Sequence, residues 1–205
     1  MAHIETVAPH QASAEVQAMY ARQQRYWGYV PNYAKVFCHR PEIMRYWAEL
    51  QAAIRRRVEP RRFELVTFAA AHALGNTACT LAHGTALTAH MPEDAVKAIA
   101  AGAAAGQSHP ADAAIVAFAR KVALDAASVT AGDVASLRAA GLPDAEIFDI
   151  VAVAAARAFF AKLLDGLGVL ADAPMRQSAG ALADVLVVGR PVDVQPVERV
   201  DEAAA

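Results

Sequence analysis

Cysteine is scarce: Cys38 and Cys79 are the two in 205 residues, too few for a disulfide framework. Neither sign of charge dominates, with 19 Lys+Arg against 21 Asp+Glu and a formal net charge of −2. A surface that neutralises phosphates needs a basic excess, so no nucleic-acid partner is expected. Long apolar runs are missing as well. The most apolar stretch, 147–160, still carries Asp149 and Arg157, and it is shorter than the roughly 20 residues of a bilayer span. No membrane partner is expected either. The segment from Met1 to Gln11 contains two histidines, a glutamate and a proline, and lacks the apolar core of a signal peptide. Together these absences predict a soluble protein of the reducing cytoplasm, where a lone thiol is either reactive or simply buried. No phosphate-binding glycine loop follows a strand, and no Gly-x-Ser-x-Gly elbow occurs.

What is plentiful is alanine, 52 residues of it. Alanine is the strongest helix former, and the other apolar residues recur at three- and four-residue spacings, so the chain is predicted to be all-α, with about eight to ten helices. Ser13 reads as the N-cap of a helix running to Trp27, followed by a turn through Gly28 and Pro31. Short helices are expected over Asn32–His39 and Pro92–Ala101, and longer ones over Pro41–Arg57, Arg61–Leu74, Thr77–His90 and Pro110–Ala127. A short helix then ends at Gly141, a long apolar one covers Pro143–Leu167, and a last one covers Pro174–Val187. Residues 1–187 read as one domain. Residues 188–205 hold two prolines and no helical period, which fits an extended arm or a frayed tail.

Two distributions are uneven. Residues 1–62 carry 10 Lys+Arg against 5 Asp+Glu, and the rest carries 9 against 16. The cluster Arg55, Arg56, Arg57, Arg61 and Arg62 reads as a solvated helix end, with an anion or subunit contact as the sharper alternative. Ten of the fourteen aromatic residues precede residue 69. Most suit a core or subunit interface, and one or two could wall an apolar pocket.

One segment concentrates chemistry: Glu64, His72, Gly75, Asn76, Cys79 and His83 within twenty residues. Gly75-Asn76 reads as a helix start with Asn76 as N-cap, which places Cys79 in the first turn and His83 one turn further on the same face. A helix N-terminus and a neighbouring imidazole both favour a thiolate, so the spacing predicts a lowered thiol pKa and a nucleophile suited to a peroxide oxygen or a disulfide. Glu64 lies on the preceding helix, where a hairpin would let it orient the histidine. The bland alternatives are a buried cysteine beside a satisfied histidine and a surface glutamate near Arg61 or Arg62. His90 follows His83 by seven residues, about 10.5 Å of rise, too far to share one ion, so no metal site is expected. His72 suits packing or a helix end, and His109 a loop. Cys38 reads as structural.

The pattern Glu-x11-Cys-x2-Cys-x3-His resembles the signature of the alkyl hydroperoxidase D-like / carboxymuconolactone decarboxylase-like superfamily. Glu64, Asn76, Cys79 and His83 fall on its four positions at full spacing. Val30-Pro31-Asn32-Tyr33, His39-Arg40-Pro41-Glu42 and the stretch from Asp149 to Gly168 are similar to its flanks. The resemblance implies a homo-oligomeric helical protein without a cofactor, in which Glu64 and His83 relay protons for Cys79. It also implies a small hydroperoxide or other small substrate and an external thiol or protein reductant. The departure is Asn76, which stands where the family has its other cysteine and cannot resolve a sulfenic acid. Two other functions are compatible with the resemblance: a decarboxylase or lactone-processing enzyme using His83 and Glu64 without the thiol, and a non-catalytic relative.

Overall fold

The computed structural model describes residues 2–102 and 109–200. Most of the connection between the helices expected over Pro92–Ala101 and Pro110–Ala127 therefore lies outside the described residues. The helices are α1 (Ala14–Trp27), α2 (Asn32–Val36), α3 (Pro41–Arg55), α4 (Pro60–Ala73), α5 (Thr77–Leu87), α6 (Glu93–Ala100), α7 (Asp112–Asp125), α8 (Ala131–Ala139), α9 (Asp144–Gly166), α10 (Ala173–Ala179) and α11 (Ala183–Leu186). Among the described residues the only β pairings are two isolated bridges, Val30 with Glu198 and Ala171 with Val192. The protein is all-α.

Local chemistry accounts for most helix ends. The Ser13 hydroxyl accepts from the Val16 N–H and starts α1, and Gly28 closes it in the left-handed region at φ 79°. Glu59 caps α4 by accepting from the N–H groups of Arg61 and Arg62, each at 2.8 Å, with Pro60 in the first turn. A capping box between Thr130 and Asp133 starts α8. The helix expected over Pro174–Val187 is instead two, α10 and α11. Gly180 at φ 51° breaks it, and a 3-10 turn over Gly180–Leu182 joins the pieces.

α4 is the axis of the molecule. Every residue from Phe63 to Ala71 is buried, and the helix packs on α5, α7 and α9. Ala69, Ala70 and Ala71 show no exposure, as do Ala119 on α7 and Ala154 on α9. Side chains this small let helix axes approach closely and hold backbones in register. Around this bundle lies a second apolar cluster built from α1 to α3. It contains Met19, Tyr20, Phe37, Met44 and Trp47, and it joins the bundle through Cys79, Phe160 and Leu164.

The basic cluster after α3 is largely tied down. Arg61 grips the buried Asp112 with its two terminal guanidinium nitrogens, Arg62 pairs with Glu146 at 2.6 Å, and Arg55 with Glu64 at 3.2 Å. Residues 188–200 run extended along their own chain. The Gly189 N–H donates to the Thr77 hydroxyl, which donates to the Arg190 carbonyl, and Lys35 pairs with Glu198 at 2.9 Å. Where this arm crosses the α4–α5 turn the backbones nearly touch: a Cβ on Gly189 would lie 1.8 Å from the Gly75 carbonyl oxygen. Only glycine fits there.

Candidate active site

The α4–α5 hairpin brings the segment's reactive side chains to one place. Asn76 caps α5, its side-chain oxygen accepting from the Cys79 N–H at 2.9 Å. Cys79 is thereby set in the first helical turn. The Asn76 side-chain nitrogen donates to the Ala161 carbonyl and ties the turn to α9. The position that carries a cysteine in the superfamily pattern is thus occupied by a residue with two structural bonds and no redox chemistry.

Glu64 and His83 meet directly: Nδ1 of His83 lies 2.7 Å from Oε2 of Glu64. The other carboxylate oxygen accepts from Arg55 at 3.2 Å. Burial pushes the Glu64 carboxyl upward, but the His83 hydrogen bond, together with the charges of His83, Arg55 and Arg157, outweighs it and leaves the carboxyl below its ordinary range. Burial, with the positive field of Arg157, pushes His83 below the ordinary histidine range despite its bond to Glu64. At neutral pH the pair is therefore a carboxylate and a neutral imidazole. The proton sits on Nδ1, facing the carboxylate, and Nε2 keeps a lone pair.

Cys79 departs from expectation. Its side chain is buried, and burial raises the thiol above the ordinary cysteine range, opposing the lowering expected from the helix start and the imidazole. What counteracts burial is neither of those groups but Arg157, whose Nη1 lies 3.3 Å from Sγ. Among the described residues no hydrogen bond joins Cys79 to His83.

Arg157 was invisible as a site residue in the sequence. It interrupts the apolar run on α9, is 6% exposed, and enters no ion pair among the described residues. Its Nε has no hydrogen-bond partner, and its guanidinium carbon lies 5.5 Å from the Phe160 ring centre and 5.9 Å from that of Trp47. An arginine so buried is normally paired. The one clue in the sequence was a cation inside the most apolar helix, 78 residues from the sulfur it touches.

Cys79, His83 and Arg157 share the wall of a cavity of about 130 Å3. The remaining wall is largely apolar, and four of its nine residues are aromatic: Trp27, Tyr33, Trp47 and Phe160. The Trp27 indole N–H donates to the Tyr33 hydroxyl at 2.8 Å, and Trp47 stacks on Phe160 with ring centres 5.0 Å apart. A larger cleft of about 630 Å3 lies between the N-terminal segment and the arm. It contains no cysteine, so size does not mark the reactive site. His72 lies outside the small cavity, with its ring centre 5.8 Å from that of Phe68. Cys38 and Cys79 are both free, and no group of three metal-ligating side chains occurs among the described residues.

An all-α fold in which a helix hairpin carries a cysteine, a histidine and a glutamate defines the class. Residues 41–121 match the carboxymuconolactone decarboxylase family model, a segment that holds Glu64, Asn76, Cys79 and His83 but ends before Arg157. Over that segment the chain is similar to carboxymuconolactone decarboxylase family proteins. Its fold is similar to that of an alkylhydroperoxidase AhpD core protein, an uncharacterized peroxidase-related protein from Ralstonia eutropha JMP134 (TM-score 0.71, 20% identity, covering 92% of this chain and 98% of that one). It is also similar to an uncharacterized peroxidase-related protein from Silicibacter sp. TM1040 (0.68, 17%, 80% and 87%). A third similar structure is the debrominase Bmp8 C82A in complex with 2,3,4-tribromopyrrole (0.66, 15%, 84% and 91%). No curated protein matches the chain.

Proposed function

We propose that the protein is a one-cysteine, thiol-dependent oxidoreductase of small organic molecules, peroxidase-like in its chemistry. The observation that carries this reading is the buried Arg157 guanidinium on the Cys79 sulfur, in the same cavity as an imidazole backed by a carboxylate. A buried cation without a carboxylate partner suits a thiolate as its counter-ion. The resting thiol, held up by burial, loses its proton to Nε2 of His83, and Glu64 stabilises the resulting imidazolium. The sulfur then attacks the terminal oxygen of a hydroperoxide. An S–O bond forms and the O–O bond breaks, the leaving alkoxide takes the proton from His83, and an alcohol departs. Sulfur is oxidised to a sulfenic acid and the peroxide is reduced.

Asn76 provides no second thiol, so reduction falls to an external thiol or protein reductant, and a dithiol completes it alone. One of its sulfurs forms a mixed disulfide with Cys79 and releases water, and the other sulfur then displaces Cys79 as a thiol. The match of residues 41–121 to the carboxymuconolactone decarboxylase family model and the fold shared with peroxidase-related proteins support this reading. The test is intact-mass analysis of the protein before and after cumene hydroperoxide, with dimedone trapping. The expected result is one dimedone adduct on Cys79, absent from Cys79→Ser. Oxidation confined to Cys38, or turnover undiminished in Cys79→Ser, would overturn the reading. The second outcome would favour acid–base chemistry by His83 and Glu64 alone.

A further inference from the structure

α9 is the longest helix among the described residues, and it is apolar on two sides. One side is buried: Ile147, Ile150, Val153, Ala154, Phe160 and Leu164 lie in the core. The other side is open. Phe148 is 71% exposed, Phe159 47% and Val151 36%, and Ala155 is exposed between them. These four recur at three- and four-residue spacings, so they form one stripe along about 16 Å of helix. A helix face turned to water is ordinarily polar. Apolar residues aligned on such a face mark a contact surface.

The charges of α9 say what covers it. Asp144 pairs with Arg138 at 2.7 Å, Glu146 with Arg62 at 2.6 Å and Asp165 with Arg190 at 3.9 Å, while Arg157 lies on the Cys79 sulfur. Two charges remain. The side chains of Asp149 and Lys162 make no hydrogen bond or ion pair among the described residues. They are opposite in sign and lie at the two ends of the stripe.

We propose that this face of α9 pairs with the same face of a second copy of the chain, antiparallel about a two-fold axis at Ala155. The face reads nearly alike from both ends. With Ala155 set on its own copy, Val151 meets the second copy's Phe159, Ala152 meets Ala158, and Phe148 meets Lys162. The methyl groups at the crossing let the two axes approach closely. The aliphatic stem of Lys162 covers the Phe148 ring, and its ammonium reaches Asp149, the next residue. One symmetry operation thus satisfies both leftover charges, twice per dimer. A parallel pairing would set lysine on lysine and aspartate on aspartate. A foreign partner would have to bring its own matching acid and base, whereas a second copy supplies them. Phe159 also lies on Trp47, with ring centres 5.6 Å apart. The pairing therefore braces a wall of the Cys79 cavity, yet it does not depend on the chemistry done there.

The test is sedimentation velocity of the full chain up to about 0.1 mM. The expected species has twice the chain mass. Ala155→Glu places two carboxylates together on the axis and should weaken the dimer about a hundredfold or more. Asp149→Lys and Lys162→Glu should each weaken it about tenfold, since each turns attraction into repulsion. The double variant should recover the dimer, and so should an equimolar mixture of the two single variants. All three positions lie on the helix surface, and unchanged circular dichroism checks that folding is kept. Should Ala155→Glu unfold, the charge variants carry the test. A chain that stays monomeric, as it would if the face serves a different protein, overturns the inference. So does an assembly indifferent to Ala155→Glu, or a loss in the two charge variants without mutual rescue.

Discussion

The alanine-rich bundle of α4, α5, α7 and α9 and the aromatic layer of α1 to α3 contribute different things to one cavity. The bundle supplies Glu64, Cys79, His83 and Arg157, and the layer supplies Trp27, Tyr33 and Trp47. Reactive groups must be placed within tenths of an ångström, and closely packed backbones of small residues can do that. Ring walls only need to exclude water and match a shape, and large side chains do that with few backbone constraints. The difference predicts that bundle mutations change reaction rates, whereas layer mutations change binding.

The largest effect expected is at Cys79: Cys79→Ser should reduce hydroperoxide turnover to background while the thermal midpoint hardly moves. His83→Asn should follow, slowing sulfenate formation about a hundredfold, the lower end for loss of a general base. Arg157→Met should slow it about tenfold at neutral pH and push the thiol further above its ordinary range. The rate of the unmodified protein should still be climbing past roughly pH 8.5, because burial raises Cys79. Stability supplies the control. Replacing an unpaired buried cation with an apolar chain of similar length is neutral or stabilising. An Arg157→Met protein that loses both activity and stability would instead mark the arginine as a structural brace. In the aromatic layer, Trp47→Leu should raise KM several-fold for an aromatic hydroperoxide with kcat nearly unchanged. A fall in kcat of equal size would erase the proposed division.

The smallest effect concerns pH. Asp172, buried and accepting from the Asn32 N–H, is raised to about 7 by burial, with Asp193 opposing its ionisation further. Its charged form disfavours the folded state above that pH. The cost fades as pH falls towards the ordinary carboxylate range, because only the folded protein then holds the proton. Asp172→Asn should therefore stabilise by about 1–2 kcal/mol at pH 8 and by little near pH 4, read from denaturant midpoints. His83 and Glu64, both lowered, act in the opposite sense: their contribution is lost as pH falls, first below the ordinary histidine range and then through the folded pKa of the carboxyl.

Local signals carried far in this chain. Ser13 and Asn76 were readable as caps because capping is a property of three or four consecutive residues. The proximity of Glu64 to His83 was legible from spacing once a hairpin was assumed. What local reasoning misjudged was the state of the sulfur. Helix position and imidazole argue for a lowered thiol pKa, but burial is a sum over every element packed on the site, and no window of sequence contains it. The break at Gly180 was missed, and the choice between an extended arm and a frayed tail stayed open for a related reason, since the arm is held by contacts with α5 and its preceding turn.

Composition, helical period and the spacing of four residues were enough to determine an all-α chain with a cysteine, a histidine and a glutamate on adjacent helices, because those features depend on neighbours along the backbone. Only the tertiary structure decided that an arginine from a distant helix is the sulfur's partner, and that burial raises the thiol instead of the helix start lowering it. Charge and solvation act through space, across distances that the order of residues does not record.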